Sequence, residues 1–191
     1  DLGIDKVVMN PFDQQIGKIV KNSVSSFSIA PGSGPRHIVF HPQHYWMYLL
    51  NELGSTITCF QVNPEDGLLK EFQTIKTLPE DYSGVNICAD IHIHPSGKFL
   101  YGSNRGHNSI VAYEINTSGN LKYLSHQSTH GQIPRNFIID QTGRWLMVAN
   151  QDSNNIVTFS IDTDNGLLKN TGMITEVPSP VCLKFLDYRG N

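Results

Sequence analysis

The stretch "PRNFIIDQTGRWLMVANQDSNNIVTFSIDTDNGLLK", Pro134 to Lys169, holds three short apolar runs separated by turns. "NFIID", "WLMVAN" and "NIVTFSI" are rich in β-branched and aromatic residues, the composition of strands. Thr142-Gly143 separates the first two, and Gly166 closes the turn after the third, each supplying the glycine a tight turn favours. "LLKN" opens a fourth strand.

The unit recurs. "PRHIVFHPQHYWMYLLNELGSTITCFQVNPEDGLLK" begins at Pro35, and "ADIHIHPSGKFLYGSNRGHNSIVAYEINTSGNLK" begins at Ala89. The Asn that ends each second strand is Asn51, Asn104 and Asn150, so the spacing is 53 and then 46 residues. A repeat of about 40–50 residues built from four short strands is the signature of a propeller blade. No segment keeps a 3.6-residue apolar period, so almost no helix is expected. "DLGIDKVVMN" matches "NELGSTITCF" and enters a blade at its third strand, with two strands expected before Gly34. "PSPVCLKFLD" matches "GPRHIVFH" and reads as the first strand of a further blade. The expectation is an all-β, partial β-propeller of four-stranded antiparallel blades, about half of a ring. Residues 1–33 are the trailing strands of one blade, 34–83, 84–131 and 132–177 are blades, and 178–191 begin another. Such an arc leaves open edges and needs N-terminal blades or a second chain to close it.

A repeat lets each slot be compared with its equivalents. Slots that build the fold hold one residue type; slots that build a single central site differ from blade to blade. The turn Asn is constant and is expected to be structural, bonding its own backbone and tolerating the left-handed region. The next slot holds Glu52, Arg105 and Gln151, with Asp1 matching in the leading half blade. The opening slot of the first strand, nearest the channel, holds Arg36, Ala89, Arg135 and Val181, and the following slot holds His37, Asp90, Asn136 and Cys182. Arginine presents a rigid fork of donors suited to carboxylate or phosphate. Alternation along the strand puts Asp90, His92 and His94 on one face. His94 matches His41 and Asp140 and is expected to support a turn, whereas His92 matches Val39 and Ile138 and is either a hydrogen-bonded core residue or a site residue.

Composition narrows the function classes. The 14 Lys and Arg are scattered among 17 Asp and Glu, giving a net charge of −3, so nucleic acid is not an expected partner. No apolar run approaches the roughly 20 residues that cross a bilayer, and a membrane is not an expected partner either. The three cysteines, Cys59, Cys88 and Cys182, lack disulfide or zinc spacing and fit a reducing compartment. Glycine-rich phosphate loops and the GxSxG elbow are absent.

"GPRHIVFHP", "HPSGKFLYGSNRGHNSIVAYEI" and "PRNFIIDQTGRWLMVANQDSNNIVTFSID" together resemble the lactonase family of seven-bladed propellers, and the likeness covers nearly the whole chain. The resemblance implies hydrolysis of 6-phosphogluconolactone in the pentose phosphate pathway, a cytoplasmic location, a small phosphorylated sugar lactone as partner, and no cofactor or metal. It also implies a site at one mouth of the channel made from Arg36, Glu52 and Arg105, residues the slot comparison selects independently. The family adds a His from a blade upstream of "DLG", which this sequence does not contain. Glu52 is expected to act as general base, with neighbours raising its pKa towards working pH. Arg36 and Arg105 would stabilise the oxyanion or clamp the phosphate; Arg135, His37, His92 and Gln151 would contact substrate. A muconate-lactonising cyclase, related to the family, and a non-enzymatic binding propeller remain alternatives on the same scaffold.

Overall fold

The computed structural model describes residues 1–20 and 25–186. Three four-stranded antiparallel sheets follow one another in up-and-down order. The first is β5 (Pro35–Phe40), β6 (Trp46–Asn51), β7 (Thr56–Val62) and β8 (Leu69–Lys76). The second is β9 (Ile87–Ile93), β10 (Phe99–Arg105), β11 (Ser109–Ile115) and β12 (Leu121–Ser128). The third is β13 (Pro134–Ile139), β14 (Trp145–Asn150), β15 (Asn155–Ile161) and β16 (Leu168–Glu176). The inner strands β5, β9 and β13 lie side by side, so the sheets fan out as blades around a common axis in an arc that does not close. Ahead of them β1 (Lys6–Met9) pairs with β4 (Ser25–Ser28). Between these two the sequence reading expects only a turn. The chain instead inserts a hairpin of β2 (Phe12–Asp13) and β3 (Lys18–Ile19), with Gly17 at φ +67 in its turn.

The core lies between the blades, and strand alternation puts it there. In β10, Leu100 points to the preceding blade and joins Tyr48, Leu50 and Ile57, while Phe99 and Tyr101 point to the following blade and join Phe137, Val148 and Phe159. Val111 and Ile110 of β11 divide in the same way. Both faces of the middle blade are therefore apolar, which is why its strands read as nearly continuous hydrophobic runs. A third cluster, Ile29, Met47, Leu49 and Phe60, packs the half blade on the first complete one.

Polar clasps repeat across the blade boundaries. The hydroxyl of Tyr48 donates to Gly119 O in the next blade, and that of Tyr101 donates to Gly166 O, each at 2.9 Å. His41 Nε2 meets Gly97 O at 3.0 Å, and His94 Nε2 meets Gly143 O at 2.8 Å. The glycines are needed here: Gly143 has φ +72, and a Cβ on it would sit 2.4 Å from His94 Nε2. His94 thus supports a turn, that of the neighbouring blade as well as its own. The constant Asn is structural by a different route from the one expected. Asn51, Asn104 and Asn150 are fully buried at strand ends. The amides of Asn104 and Asn150 tie down the carbonyls of Thr77 and Thr129 in the preceding inter-blade crossings. The left-handed residues come four positions later, at Ser55, Asn108 and Asn154.

No strand forms over residues 177–186, where the first strand of a further blade is expected. A strand exists only by pairing, and its second-strand partner is not among the described residues. The segment is held by side chains instead: Ser179 N–H donates to Asn154 Oδ1 and Leu183 N–H to Asn136 Oδ1. Residues 187–191 of that expected strand lie outside the described residues.

The clasps predict a measurable cost. Replacing Tyr101 with Phe leaves the packing and strands the Gly166 carbonyl, and should destabilise the full-length protein by about 1–3 kcal/mol. Urea unfolding measures it; a change within error of zero would show that the hydroxyl contributes nothing.

Candidate functional site at the channel

β5, β9 and β13 start beside one another, and their first residues meet the loops that follow each second strand. At this mouth Glu52 binds two arginines at once. Its Oε2 accepts from Arg36 NH1 at 2.7 Å, and its Oε1 accepts from Arg105 NH2 at 2.6 Å. Arg36 comes from the same blade and Arg105 from the next. Each arginine is also tied to the inner strand of the second blade: Arg36 Nε donates to Ala89 O at 2.8 Å, and Arg105 NH2 to Cys88 O at 2.9 Å. The Glu52 backbone crosses the same boundary, accepting from Cys88 N–H at 2.9 Å. Ala89 occupies the slot where the other two complete blades carry Arg36 and Arg135. Gly106 follows Arg105 at φ +123, where a Cβ would lie 2.1 Å from Val85 O, so the turn that places Arg105 requires glycine.

The expectation for the Glu52 pKa is corrected by this geometry. Burial pulls it upward, but the hydrogen bonds and charges of Arg36 and Arg105 outweigh that and hold the carboxyl below its usual range. Both carboxylate oxygens are engaged and the group is 9% exposed. An ionised, doubly bonded carboxylate is a poor proton acceptor. It is well suited to fixing two guanidiniums.

Beside it a second carboxylate links three blades. Asp90 Oδ1 lies 2.9 Å from His37 Nδ1, and Oδ2 lies 3.1 Å from His92 Nε2. Oδ2 also accepts from Asn136 Nδ2 and from the Phe137 backbone N–H. Burial opposes ionisation of Asp90, yet the His37 and His92 bonds prevail and its pKa falls far below the carboxylate range. Three of the four residues in the second slot, His37, Asp90 and Asn136, therefore form one hydrogen-bonded chain across β5, β9 and β13.

Arg36, His37, Asp90, His92, Arg135 and Lys184 line a cleft of about 610 Å³ on the channel side. Glu52 and Arg105 stand behind this lining, and Gln151 reaches it through Arg135, whose NH1 is 3.4 Å from Gln151 Oε1. Cys182 also borders the cleft. The sequence-selected site residues thus come together as a lining of Arg36, His37, His92 and Arg135 and a support of Glu52, Arg105 and Gln151. Asp1 does not join them; it is exposed and caps Gly3 N–H. Asp90, Asn136 and Lys184 were not selected as site residues. The slot comparison could have found the first two, which share a column with His37; Lys184 had no such signal. Among the described residues no group of three His, Cys, Asp or Glu side chains could hold a metal ion, and the cationic lining suits an anion.

Glu52 and Asp90 give a signed pH prediction. Both titrate below their unfolded values of about 4, so in acid the folded state binds fewer protons than the unfolded chain. Their stabilisation is complete above about pH 5 and is lost as pH falls through the depressed values. Replacing Glu52 with Gln should cost about 3–5 kcal/mol at pH 7, because Arg105 is left buried without its counter-charge. The gap from wild type should narrow as pH falls towards 3; an equal gap at both pH values would contradict the pairing.

The chain has known relatives. The model of the family described as lactonase, 7-bladed beta-propeller, matches residues 1–185. A 6-phosphogluconolactonase of Bacillus subtilis is 37% identical over 187 residues, covering 97% of this chain and 52% of that protein. A crystal structure of a putative 6-phosphogluconolactonase from Bacteroides fragilis superposes with TM-score 0.88 at 36% identity, covering 98% of this chain and 53% of that one. The periplasmic gluconolactonase of Pseudomonas aeruginosa gives TM-score 0.89 at 31% identity, covering 97% and 52%. The chain spans about half the length of these three relatives. With the blade repeat and the match running along nearly all of it, the chain belongs to the lactonase family of seven-bladed β-propellers.

Proposed function

We propose that this protein, completed to a ring by further blades of its own or of a second chain, hydrolyses 6-phosphogluconolactone to 6-phosphogluconate. The observation that carries the reading is the pair of guanidiniums fixed by one buried carboxylate at the edge of a cationic cleft. Relatives named 6-phosphogluconolactonase support it.

Hydrolysis of the lactone requires water to attack the ester carbonyl, an oxyanion to be held, and the ring oxygen to leave as a hydroxyl. Arg36 lines the cleft and keeps its fork oriented through Glu52 and Ala89 O, which makes it the donor to the oxyanion. Glu52 and Arg105 act through it as positioning residues. The general base falls to a histidine on Asp90. With a proton on Nδ1 directed at Asp90, His37 offers Nε2 as its basic nitrogen, and the side chain is 46% exposed. That nitrogen takes a proton from water as the carbon–oxygen bond forms, and returns it to the ring oxygen as the tetrahedral intermediate collapses. His92 is held by the same carboxylate and serves as its alternate.

The test is hydrolysis of 6-phosphogluconolactone by the full-length protein, coupled to 6-phosphogluconate dehydrogenase, with the spontaneous rate subtracted. Arg36→Ala should lower kcat/KM by about 10²–10³-fold, and His37→Gln by about 10²-fold or more. A full-length protein no faster than the spontaneous reaction would overturn the reading, and an unaffected His37→Gln would pass the base to His92.

A further inference from the structure

The two arginines that open inner strands have partners in the same slot, sixteen residues on. The partners differ in charge. Arg36 meets Glu52 at 2.7 Å, whereas Arg135 meets Gln151 at 3.4 Å. That bond is the only one Arg135 makes among the described residues. Glu52 further neutralises Arg105, so one carboxylate answers two cations in the first two blades, and among the described residues none pairs with Arg135 in the third. Asp90, the carboxylate in the cleft lining, is engaged by His37, His92 and Asn136. Lys184 borders the same cleft and forms no ion pair among the described residues. The cleft is therefore electrostatically lopsided. Its Arg36 side is ion-paired and rigid, and its Arg135 side carries unbalanced positive charge.

We infer that Gln151 sets the preference of this site for a phosphorylated substrate: as a neutral amide where the first blade has Glu52, it leaves Arg135, with Lys184, free in charge to receive the phosphate. The inference rests on the lactonase reading for the identity of the substrate, but its physical content is anion recognition. A phosphate approaching a guanidinium already bonded to a carboxylate must face that carboxylate's repulsion, which weakens capture from a distance while the remaining N–H groups can still donate to an oxygen held against them. A guanidinium bonded to an amide is oriented and keeps its full charge. The arrangement also separates two tasks that need different arginines. The chemistry requires an immobile donor at the carbonyl, and substrate capture requires a cation without a rival anion. Gln151 accordingly acts through Arg135 by the charge it does not carry, and its single long hydrogen bond at 3.4 Å is not what sets the preference.

The experiment compares wild type, Gln151→Glu and Gln151→Met in the full-length protein. Three quantities are read: kcat/KM on 6-phosphogluconolactone, kcat/KM on gluconolactone lacking the phosphate, and the inhibition constant of inorganic phosphate. Gln151→Glu should lower the ratio of the first to the second by about tenfold or more and weaken phosphate inhibition to a similar degree. Gln151→Met, which removes the hydrogen bond and adds no charge, should hold the ratio within about threefold. A structural role would instead depress both substrates together, and that result overturns the inference. So does a Met variant that loses discrimination as fully as the Glu variant. If wild type hydrolyses neither lactone, the lactonase reading fails alone, and calorimetric binding of inorganic phosphate decides the inference. Binding weakened only in Gln151→Glu sustains it, and binding equal in all three overturns it.

Discussion

One negative charge shared by two guanidiniums organises this end of the molecule. Glu52 leaves the second strand of one blade and stands between Arg36 of that blade and Arg105 of the next. Burying three ionised groups is costly unless their bonds are complete. Here the carboxylate is fully engaged and the arginines draw further on the carbonyls of Ala89 and Cys88, while within the triad the buried Arg105 Nε is left without a partner among the described residues. The pair therefore joins blades as well as preparing a site. Asp90 repeats the principle a step further along, with His37, His92 and Asn136 in place of arginines. In the cleft lining, Arg36, His37, His92 and Asn136 are held by one of these two carboxylates, and Arg135 by an amide in the equivalent slot.

The propeller makes such a site possible because each blade contributes the same few positions at the same radius. Packing is delegated to the faces between blades, where Tyr and His clasps and two-sided apolar strands repeat. The loop ends carry less of that packing and can differ from blade to blade. The ends of the arc carry exposed apolar side chains, Val8, Phe12 and Ile19 near one end and Met173 and Ile174 near the other.

Much of this was legible in the sequence because repetition supplies an internal comparison. The constant Asn and the varying Glu52, Arg105 and Gln151 distinguish scaffold from site without any second sequence. The same comparison contained Asp90 and Asn136, whose column begins with His37. The β2–β3 hairpin was not legible, since the matching turns in the complete blades give no counterpart to compare. The tyrosine clasps were half visible. Tyr48 and Tyr101 recur in one column, but their acceptors are backbone carbonyls of the next blade, and a carbonyl leaves no trace in residue type. The lowered Glu52 pKa was not legible for a related reason. Whether a carboxylate is raised by burial or lowered by cations depends on distances to both arginines, and only the fold brings Arg105 across the blade boundary.

The central claim is that Glu52 is an ionised anchor for two arginines and not a proton carrier. The most direct measurement is a carbon-13 NMR titration of the Glu52 side-chain carboxyl in the full-length protein, assigned with Glu52→Gln. The account predicts a carboxylate that stays ionised from neutral pH down through the ordinary range of about 4 and protonates only below it, as the fold is lost. A transition near neutrality would contradict it and restore Glu52 as the general base.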